Sequence, residues 1–156
     1  MRRKRKPYFP PQEDAPPPLT AVVRRRVRFE EVDPLAIVWH GRYPSYMEDG
    51  RAAFGERYDL GYATMRRENF LAPIVQMHID YHSPLRFREE MTITTRLHWS
   101  DAARLNFDYL IEGESGITAA TAYTVQLFTN LEKEILLARP PYMELFCERW
   151  RSGELS

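Results

Sequence analysis

The sequence predicts an α+β fold, in which an antiparallel sheet of five or six strands wraps around one central helix and a second helix follows at the C-terminus. Two observations carry this prediction. One segment, from Tyr43 to Arg57, has apolar or small residues at three- and four-residue spacing, which is typical of an amphipathic helix. Four later segments alternate apolar and polar residues, as half-buried strands do.

Composition favours one domain with a small-molecule or protein ligand. The chain has 156 residues, 44% of them hydrophobic, which is enough for one core. Its 22 basic and 22 acidic residues balance, so no overall field favours nucleic acid or a membrane surface as the partner. The single cysteine, Cys147, fits a reducing compartment. We therefore expect a cytoplasmic protein.

The first twenty residues differ in kind from the rest. A basic run from Arg2 to Lys6 is followed by many prolines, including the triplet at 16–18. This composition is typical of an extended or disordered tail. It lacks the apolar run of a secretory signal, and no later segment approaches the roughly 18 apolar residues that span a bilayer. The sequence thus predicts a disordered tail over residues 1–20 and one folded domain over residues 21–151.

The first predicted strand begins at Ala21, where apolar residues start to alternate with arginines. The apolar side of this strand holds Val23, Val27 and Phe29. Arg25 interrupts that side. An Asp33-Pro34 turn follows, and the central helix comes after it, about four turns long. Gly50 and Ala53 lie between larger residues on its apolar stripe and would let a sheet approach the helix closely.

The remaining elements follow in order along the chain. A short helical turn is expected within residues 63–70. Alternating runs predict strands at 75–81, 91–99, 105–111 and 117–127. Short connections at 100–101 and 113–116 indicate hairpins, so the last three strands should form an antiparallel meander. Residues 134–138 could add a sixth strand, and Pro140-Pro141 opens the C-terminal helix. This long sheet leaves edges that need cover, so we expect a homo-oligomer, either a dimer or a tetramer.

Asp33 is the candidate catalytic acid. Its turn comes just before a helix, whose unpaired N–H groups and partial positive charge could stabilise an anionic intermediate formed beside the carboxylate. An Asp-Pro pair is also ordinary turn chemistry, so at this point a purely architectural role is an equal alternative.

The segment from Val27 to Arg51 resembles the motif of the 4-hydroxybenzoyl-CoA thioesterase-like acyl-CoA thioesterases, which have the hotdog fold. The resemblance extends over residues 22–137 and includes the turn at 81–86. It implies hydrolysis of an acyl-CoA or acyl-carrier-protein thioester to a free acid and a thiol. It also implies that Asp33 is the catalytic carboxylate, acting as nucleophile or as general base for water. The backbone N–H of His40 would polarise the thioester carbonyl, and its imidazole ring could assist the acid.

Other positions are candidates for contacts with the substrate. They are Trp39, Tyr43, Tyr46, Arg86 and Arg88. Aromatic residues at helical spacing usually belong to the core, so a core position is the alternative for the tyrosines. The two arginines suit coenzyme A phosphates, with ordinary surface charge as the alternative. Coenzyme A would be part of the substrate, and no separate cofactor is predicted.

The histidines and the cysteine predict no further chemistry. His78, His82 and His98 lack the convergent spacing of a metal site, so no metal is predicted. No Gly-x-Ser-x-Gly elbow occurs, and Cys147 has no partner base nearby in the sequence. Hydrolysis through a serine or cysteine nucleophile is therefore disfavoured.

Two departures from the motif leave the acyl group open. Ala36 stands where relatives often carry glycine, and Phe29 where some have a tyrosine near the acid. Another hotdog lineage places its catalytic acid on the central helix, which makes Glu48 and Asp49 rivals to Asp33. We prefer Asp33, because Glu48 can form an ordinary helical ion pair with Arg51. A noncatalytic acyl-thioester binder and a hotdog hydratase or dehydratase are the alternative functions.

Overall fold

The computed structural model describes residues 5–156 and contains one five-stranded antiparallel sheet. The strands are β1 (Leu19–Arg26), β2 (Ile74–Tyr81), β3 (Glu90–His98), β4 (Arg104–Glu112) and β5 (Thr118–Leu127). Their order in the sheet is β1-β3-β4-β5-β2, so β1 and β2 are the edges. The helices are α1 (Tyr43–Tyr58), α2 (Tyr62–Arg67) and α3 (Pro141–Arg151). Short 3₁₀ turns occur at Phe29–Glu31 and His40–Arg42.

This architecture confirms the predicted hotdog arrangement of a sheet, a central helix and a C-terminal helix. Residues 134–138 do not form the possible sixth strand, since Ile135 makes only an isolated bridge with Thr129. Helix α3 packs through Trp150, whose ring lies 5.1 Å from that of Trp99. Within residues 5–156, no helix has the length and apolar character needed to cross a membrane.

Helix α1 lies very close to the sheet at Gly50. A Cβ atom at that position would lie 2.4 Å from Thr95 Oγ1 and 2.8 Å from Ile93 Cγ2, both on β3. Such distances leave no room for a methyl group, so the predicted close approach at Gly50 is confirmed. The helix ends where Asp59 adopts a left-handed conformation and its N–H donates to the Gly55 carbonyl.

The first strand is shorter than its alternation predicted. It ends at Arg26, and Phe29 lies in the following 3₁₀ turn with 75% of its surface exposed. The placement of Phe29 on the buried side of a strand is therefore wrong. Its ring instead contacts the ring of Phe87, with centroids 5.7 Å apart.

The N-terminal region also departs from the prediction. Leu19 and Thr20 already belong to β1, and residues 5–18, here called the N-terminal strap, pack against the rest of the protein. The Tyr8 hydroxyl donates to Asp80 at 2.5 Å, and the Trp150 indole N–H donates to the Pro17 carbonyl at 2.9 Å. Aromatic contacts and hydrogen bonds thus hold this proline-rich segment against the sheet in the described structure. Residues 1–4 of the predicted tail lie outside the described residues.

Candidate active site

The Asp33 turn is a tight reversal closed by backbone hydrogen bonds. The Asp33 N–H donates to the Ile37 carbonyl at 2.8 Å, and the Ala36 N–H donates to the Asp33 carbonyl at 2.9 Å. One carboxylate oxygen, Oδ1, accepts the Leu35 N–H at 2.8 Å. Ala36 takes the left-handed conformation, with φ of 60°. The turn therefore holds the half-buried Asp33 carboxylate by its own backbone, and the Ala36 conformation explains why glycine suits that position.

His40 begins a 3₁₀ turn, and α1 itself starts later, at Tyr43. The α-helix thus begins at Tyr43, where the predicted helical spacing begins, and the 3₁₀ turn from His40 to Arg42 precedes it. No backbone hydrogen bond within residues 5–156 is donated by His40 or Gly41, as expected for the first N–H groups of a helical turn. The His40 carbonyl accepts the Tyr81 hydroxyl at 2.6 Å. The start of this turn thus offers backbone donors in a fixed position.

Asp33 and His40 line one cleft of about 370 Å³. The same cleft is lined by Ile37, Val38, Tyr43, Tyr81, His82, Ser83 and Pro84. Tyr81 ends the edge strand β2 and His82 opens the turn after it, so the cleft lies between the Asp33 turn and one end of the sheet. Sequence reasoning did not select Tyr81 or His82 as site residues, although the motif resemblance already included the turn in which they lie.

Tyr43 forms part of this cleft, whereas Tyr46 lies in the core. The Tyr43 ring is 5.0 Å from that of Tyr81 and 5.6 Å from that of Tyr46. Burial raises the pKa of Tyr43 to about 12, so its hydroxyl stays protonated at neutral pH and cannot act as a base. Tyr46 is 0% exposed, which is the core alternative for an aromatic residue at helical spacing. Within the described chain it offers a substrate no surface.

Three other candidate substrate contacts are not lining residues of the cleft. Trp39 is 49% exposed, and its ring lies where a side chain at Gly41 would otherwise be. Arg86 pairs its backbone with Ile37 in an isolated bridge. The Arg88 guanidinium lies 5.1 Å from the centroid of the Phe87 ring. The structure therefore brings Asp33, His40 and Tyr43 together in the cleft. Trp39, Arg86 and Arg88 lie outside it.

The rival carboxylates on α1 have other partners. Glu48 accepts from Arg51 at 3.1 Å, which is the ion pair that the sequence predicted. It lines a separate cavity of about 380 Å³ between α1 and α2. Asp49 forms an ion pair with Arg25, which also pairs with Glu31 at 2.5 Å. Neither carboxylate lines the cleft that contains Asp33.

Metal ligands do not converge within the part of the chain that the structure describes. Residues 5–156 contain no group of three or more His, Cys, Asp or Glu side chains placed to hold a metal ion. The described residues contain His–Asp pairs, with Nε2 and Oδ2 3.0 Å apart in His78 and Asp80 and 2.8 Å apart in His98 and Asp108. The absence of a metal and of a separate cofactor stays a prediction.

Comparison with known proteins agrees with the fold and the class of site. Residues 27–148 match the thioesterase-like superfamily. The chain is 30% identical over 100 residues to "Putative acyl-CoA thioesterase YneP" of Bacillus subtilis (strain 168), which covers 62% of this chain and 72% of that protein. It is 28% identical over 89 residues to the chloroplastic acyl-acyl carrier protein thioesterase ATL3 of Arabidopsis thaliana, covering 57% of this chain and 47% of that protein.

Among solved structures, the DHNA-CoA thioesterase of Staphylococcus aureus superposes with a TM-score of 0.75 at 18% identity, covering 86% of this chain and 93% of that one. At this identity the likeness bears on the fold alone. The match over residues 27–148 shows that the chain belongs to the thioesterase-like superfamily. The predicted hotdog thioesterase class is thereby confirmed.

Proposed function

We propose that this protein hydrolyses an acyl-CoA, or a related acyl thioester, to a free acid and a thiol. The observation that carries the proposal is that the Asp33 carboxylate and the start of the His40 turn line the same cleft. Two relatives are named as thioesterases, one for acyl-CoA and the other for acyl-acyl carrier protein. Acyl-CoA is the substrate class we favour, with the carrier-protein thioester as the alternative.

Two routes are compatible with this arrangement. As a general base, Asp33 takes a proton from water while the water oxygen attacks the thioester carbonyl carbon. As a nucleophile, Asp33 attacks that carbon itself and forms a mixed anhydride, which water then hydrolyses. In both routes the carbonyl oxygen becomes an oxyanion, and the C–S bond breaks when that oxyanion collapses. The thiolate leaves and takes up a proton.

The His40 backbone N–H is the proposed donor to the oxyanion. Because His40 is the first residue of a helical turn, its N–H has no acceptor within that turn. A donor held in place before the reaction stabilises the developing charge without reorganisation, and loss of one such donor costs about 3–4 kcal/mol in the barrier. The His40 ring, which is exposed on the same cleft, is a secondary candidate for assisting the acid.

We also propose that the active unit is a homo-oligomer whose subunits meet along β2. This edge strand leaves apolar side chains exposed. Val75 is 56% exposed, Met77 41% and Tyr81 51%. An unpaired edge with apolar side chains favours pairing with a second copy. Because Tyr81 also lines the cleft, a partner paired along β2 would lie beside the proposed active site.

The decisive experiment compares Asp33→Asn with Glu48→Gln in an assay of thiol release. The substrates should be aromatic, short-chain and long-chain acyl-CoAs, together with acyl-carrier-protein thioesters. We expect Asp33→Asn to lose about 10²- to 10⁴-fold in kcat, the usual effect of removing a general base. Glu48→Gln is the matched control, because it makes the same carboxylate-to-amide change on α1, and should keep most of the activity.

The opposite ranking of these two variants would transfer the catalytic role to the helix. If the wild-type protein binds acyl thioesters but releases no thiol from any of them, the noncatalytic binder is the better description. Hydration of an enoyl thioester without thiol release would favour the hydratase.

A further inference from the structure

We propose that Arg5 and Lys6 of the N-terminal strap bind phosphate groups of coenzyme A beside the mouth of the Asp33 cleft. This inference rests on the proposed acyl-CoA hydrolysis and assigns the part of the site that would recognise the thiol carrier. The strap is anchored to the sheet, its anchor lies behind one wall of the cleft, and its N-terminal end carries the positive charges of Arg5 and Lys6.

The strap is fixed to the sheet by Tyr8. The Tyr8 hydroxyl contacts Asp80 Oδ2 at 2.5 Å and Thr121 Oγ1 at 2.8 Å. Its ring packs 4.9 Å from that of Tyr123, and the next residue, Phe9, packs 5.6 Å from the same ring. These contacts span two neighbouring strands, β2 and β5, so the path of the strap over the sheet is well determined.

The anchor of the strap lies directly behind one wall of the cleft. Thr121 Oγ1, which contacts Tyr8, is also 2.9 Å from His82 Nε2. His82 lines the cleft together with Asp33 and His40. A single threonine hydroxyl therefore lies between the strap and the proposed active site.

Arg5 and Lys6 lie near this junction. They line a cavity of about 660 Å³ between strap and sheet, and Asp80 and Thr121 line the same cavity. Arg5 precedes Tyr8 closely in the chain, and three residues reach at most roughly 11 Å. A further sign of proximity is the pKa of His82, which is lowered first by burial and second by the positive charge of Arg5.

The charges on Arg5 and Lys6 are available to a ligand. Both residues are exposed, and neither takes part in an ion pair within the described residues. Guanidinium and ammonium groups both bind phosphate well. Coenzyme A carries its phosphates at the far end of the pantetheine arm from the thioester, so a phosphate site should lie outside the reaction cleft. The strap supplies cations there, whereas Arg86 and Arg88 line neither the cleft nor the strap cavity.

The test uses a double charge reversal, Arg5→Glu with Lys6→Glu, in the full-length protein. The matched control is Arg66→Glu with Lys133→Glu, which makes the same charge change at exposed positions outside both cavities. Each protein is assayed with one acyl group carried either by coenzyme A or by N-acetylcysteamine, a thiol without phosphate. Binding of coenzyme A alone is measured by calorimetry.

In the strap variant we expect the KM for the acyl-CoA to rise about tenfold or more, because charged hydrogen bonds to phosphate are lost and the new carboxylates repel it. The kcat should not change, and neither should kcat/KM for the N-acetylcysteamine thioester. The Kd for coenzyme A should rise by the same factor. Acyl-dephospho-CoA, which lacks the 3′-phosphate but keeps the pyrophosphate, then shows which group the strap contacts. If the contact is to the 3′-phosphate, the KM values of variant and wild type converge with this substrate; if it is to the pyrophosphate, they stay different.

Equal KM values for the strap variant and its control would overturn the proposal. An equal loss of activity toward the coenzyme A and N-acetylcysteamine thioesters would also overturn it, because the strap would then act only on the structure. So would a defect confined to acyl-carrier-protein substrates. If the wild-type protein hydrolyses no thioester, the proposed function fails on its own, and calorimetry still tests the strap. Wild-type protein that does not bind coenzyme A would overturn the phosphate site itself.

Discussion

The Tyr81 hydroxyl donates a 2.6 Å hydrogen bond to the carbonyl of His40. This bond joins the end of edge strand β2 to the first residue of the turn before α1. It holds the carbonyl of His40, the residue whose own N–H is the proposed oxyanion donor, and Tyr81 and His40 line the same cleft as Asp33. The position of His40, which carries the proposed oxyanion donor, therefore depends on a residue distant in sequence.

Replacing Tyr81 with phenylalanine should lower kcat by about tenfold, because small displacements of a catalytic group are costly. The free energy of unfolding should fall by only about 0.5–1 kcal/mol, the net worth of one hydrogen bond at an exposed side chain. Steady-state kinetics and urea unfolding measure the two effects. Tyr62→Phe is the control, since it removes another exposed hydroxyl, bonded to Glu48 at 3.3 Å. Equal kcat values in both variants would exclude this role for Tyr81.

The left-handed conformation of Ala36 predicts a stabilising substitution in the Asp33 turn. An L-residue at φ of 60° is strained by about 1–2 kcal/mol, and glycine at this position would relieve that strain. Part of the relief is offset, because glycine has more conformational freedom in the unfolded chain. Ala36→Gly should thus raise the free energy of unfolding by about 0.5–1 kcal/mol in urea titrations. The same change at Ala52, an exposed residue within α1, should instead lower it by about 1 kcal/mol. Destabilisation by Ala36→Gly would contradict this account.

The ion pair between Arg25 and Glu31 connects β1 to the chain just before the Asp33 turn. Glu31 is 3% exposed, and its other oxygen accepts the Arg28 N–H at 2.8 Å. Glu31→Gln should lower the free energy of unfolding by about 1.5–3 kcal/mol, because the charged hydrogen bond is lost in a buried site. Glu90→Gln is the control, since its ion pairs with two arginines are exposed and should contribute less than about 1 kcal/mol. Guanidinium unfolding of both variants checks the difference, and similar losses would refute it.

Asp108 predicts a pH dependence of stability below neutrality. Burial alone raises the pKa of its carboxyl, but hydrogen bonds from His98 and Arg96 outweigh burial and lower the pKa overall. The stabilisation is therefore complete above the unfolded value of about 3.9 and is lost as the pH falls through the lower folded value. Asp108→Asn should be clearly destabilising in urea at pH 7, and its difference from the wild type should shrink as the pH falls below about 3.9.

The Glu132→Gln variant, which removes an exposed carboxylate, controls for the change in net charge in that comparison. A destabilisation by Asp108→Asn that is the same at pH 7 and pH 3 would show that the hydrogen bonds do not depend on the ionised carboxylate.

Local periodicity was enough to predict several features. The stripe on α1 predicted the close approach at Gly50, because a missing side chain on a helix face matters only where another element packs. The alternation in the later segments predicted β2 to β5, because successive side chains of a strand lie on opposite faces of the sheet. Alternation failed at Phe29, since an apolar residue after a strand looks the same in sequence whether it enters the core or contacts another exposed ring.

By itself the sequence determined the fold class and the Asp33 turn, because these depend on the local spacing of residue types, and the resemblance of the segment from Val27 to Arg51 indicated the thioesterase family. Only the tertiary structure decided which residues share the cleft. Tyr81 and His82, at the end of edge strand β2, line the cleft together with Asp33 and His40, and Tyr8 contacts Thr121 across most of the chain. Such contacts join residues far apart in sequence, and no local pattern of residue types encodes them. The composition of the strap indicated disorder, yet the sheet supplies the partners that hold it.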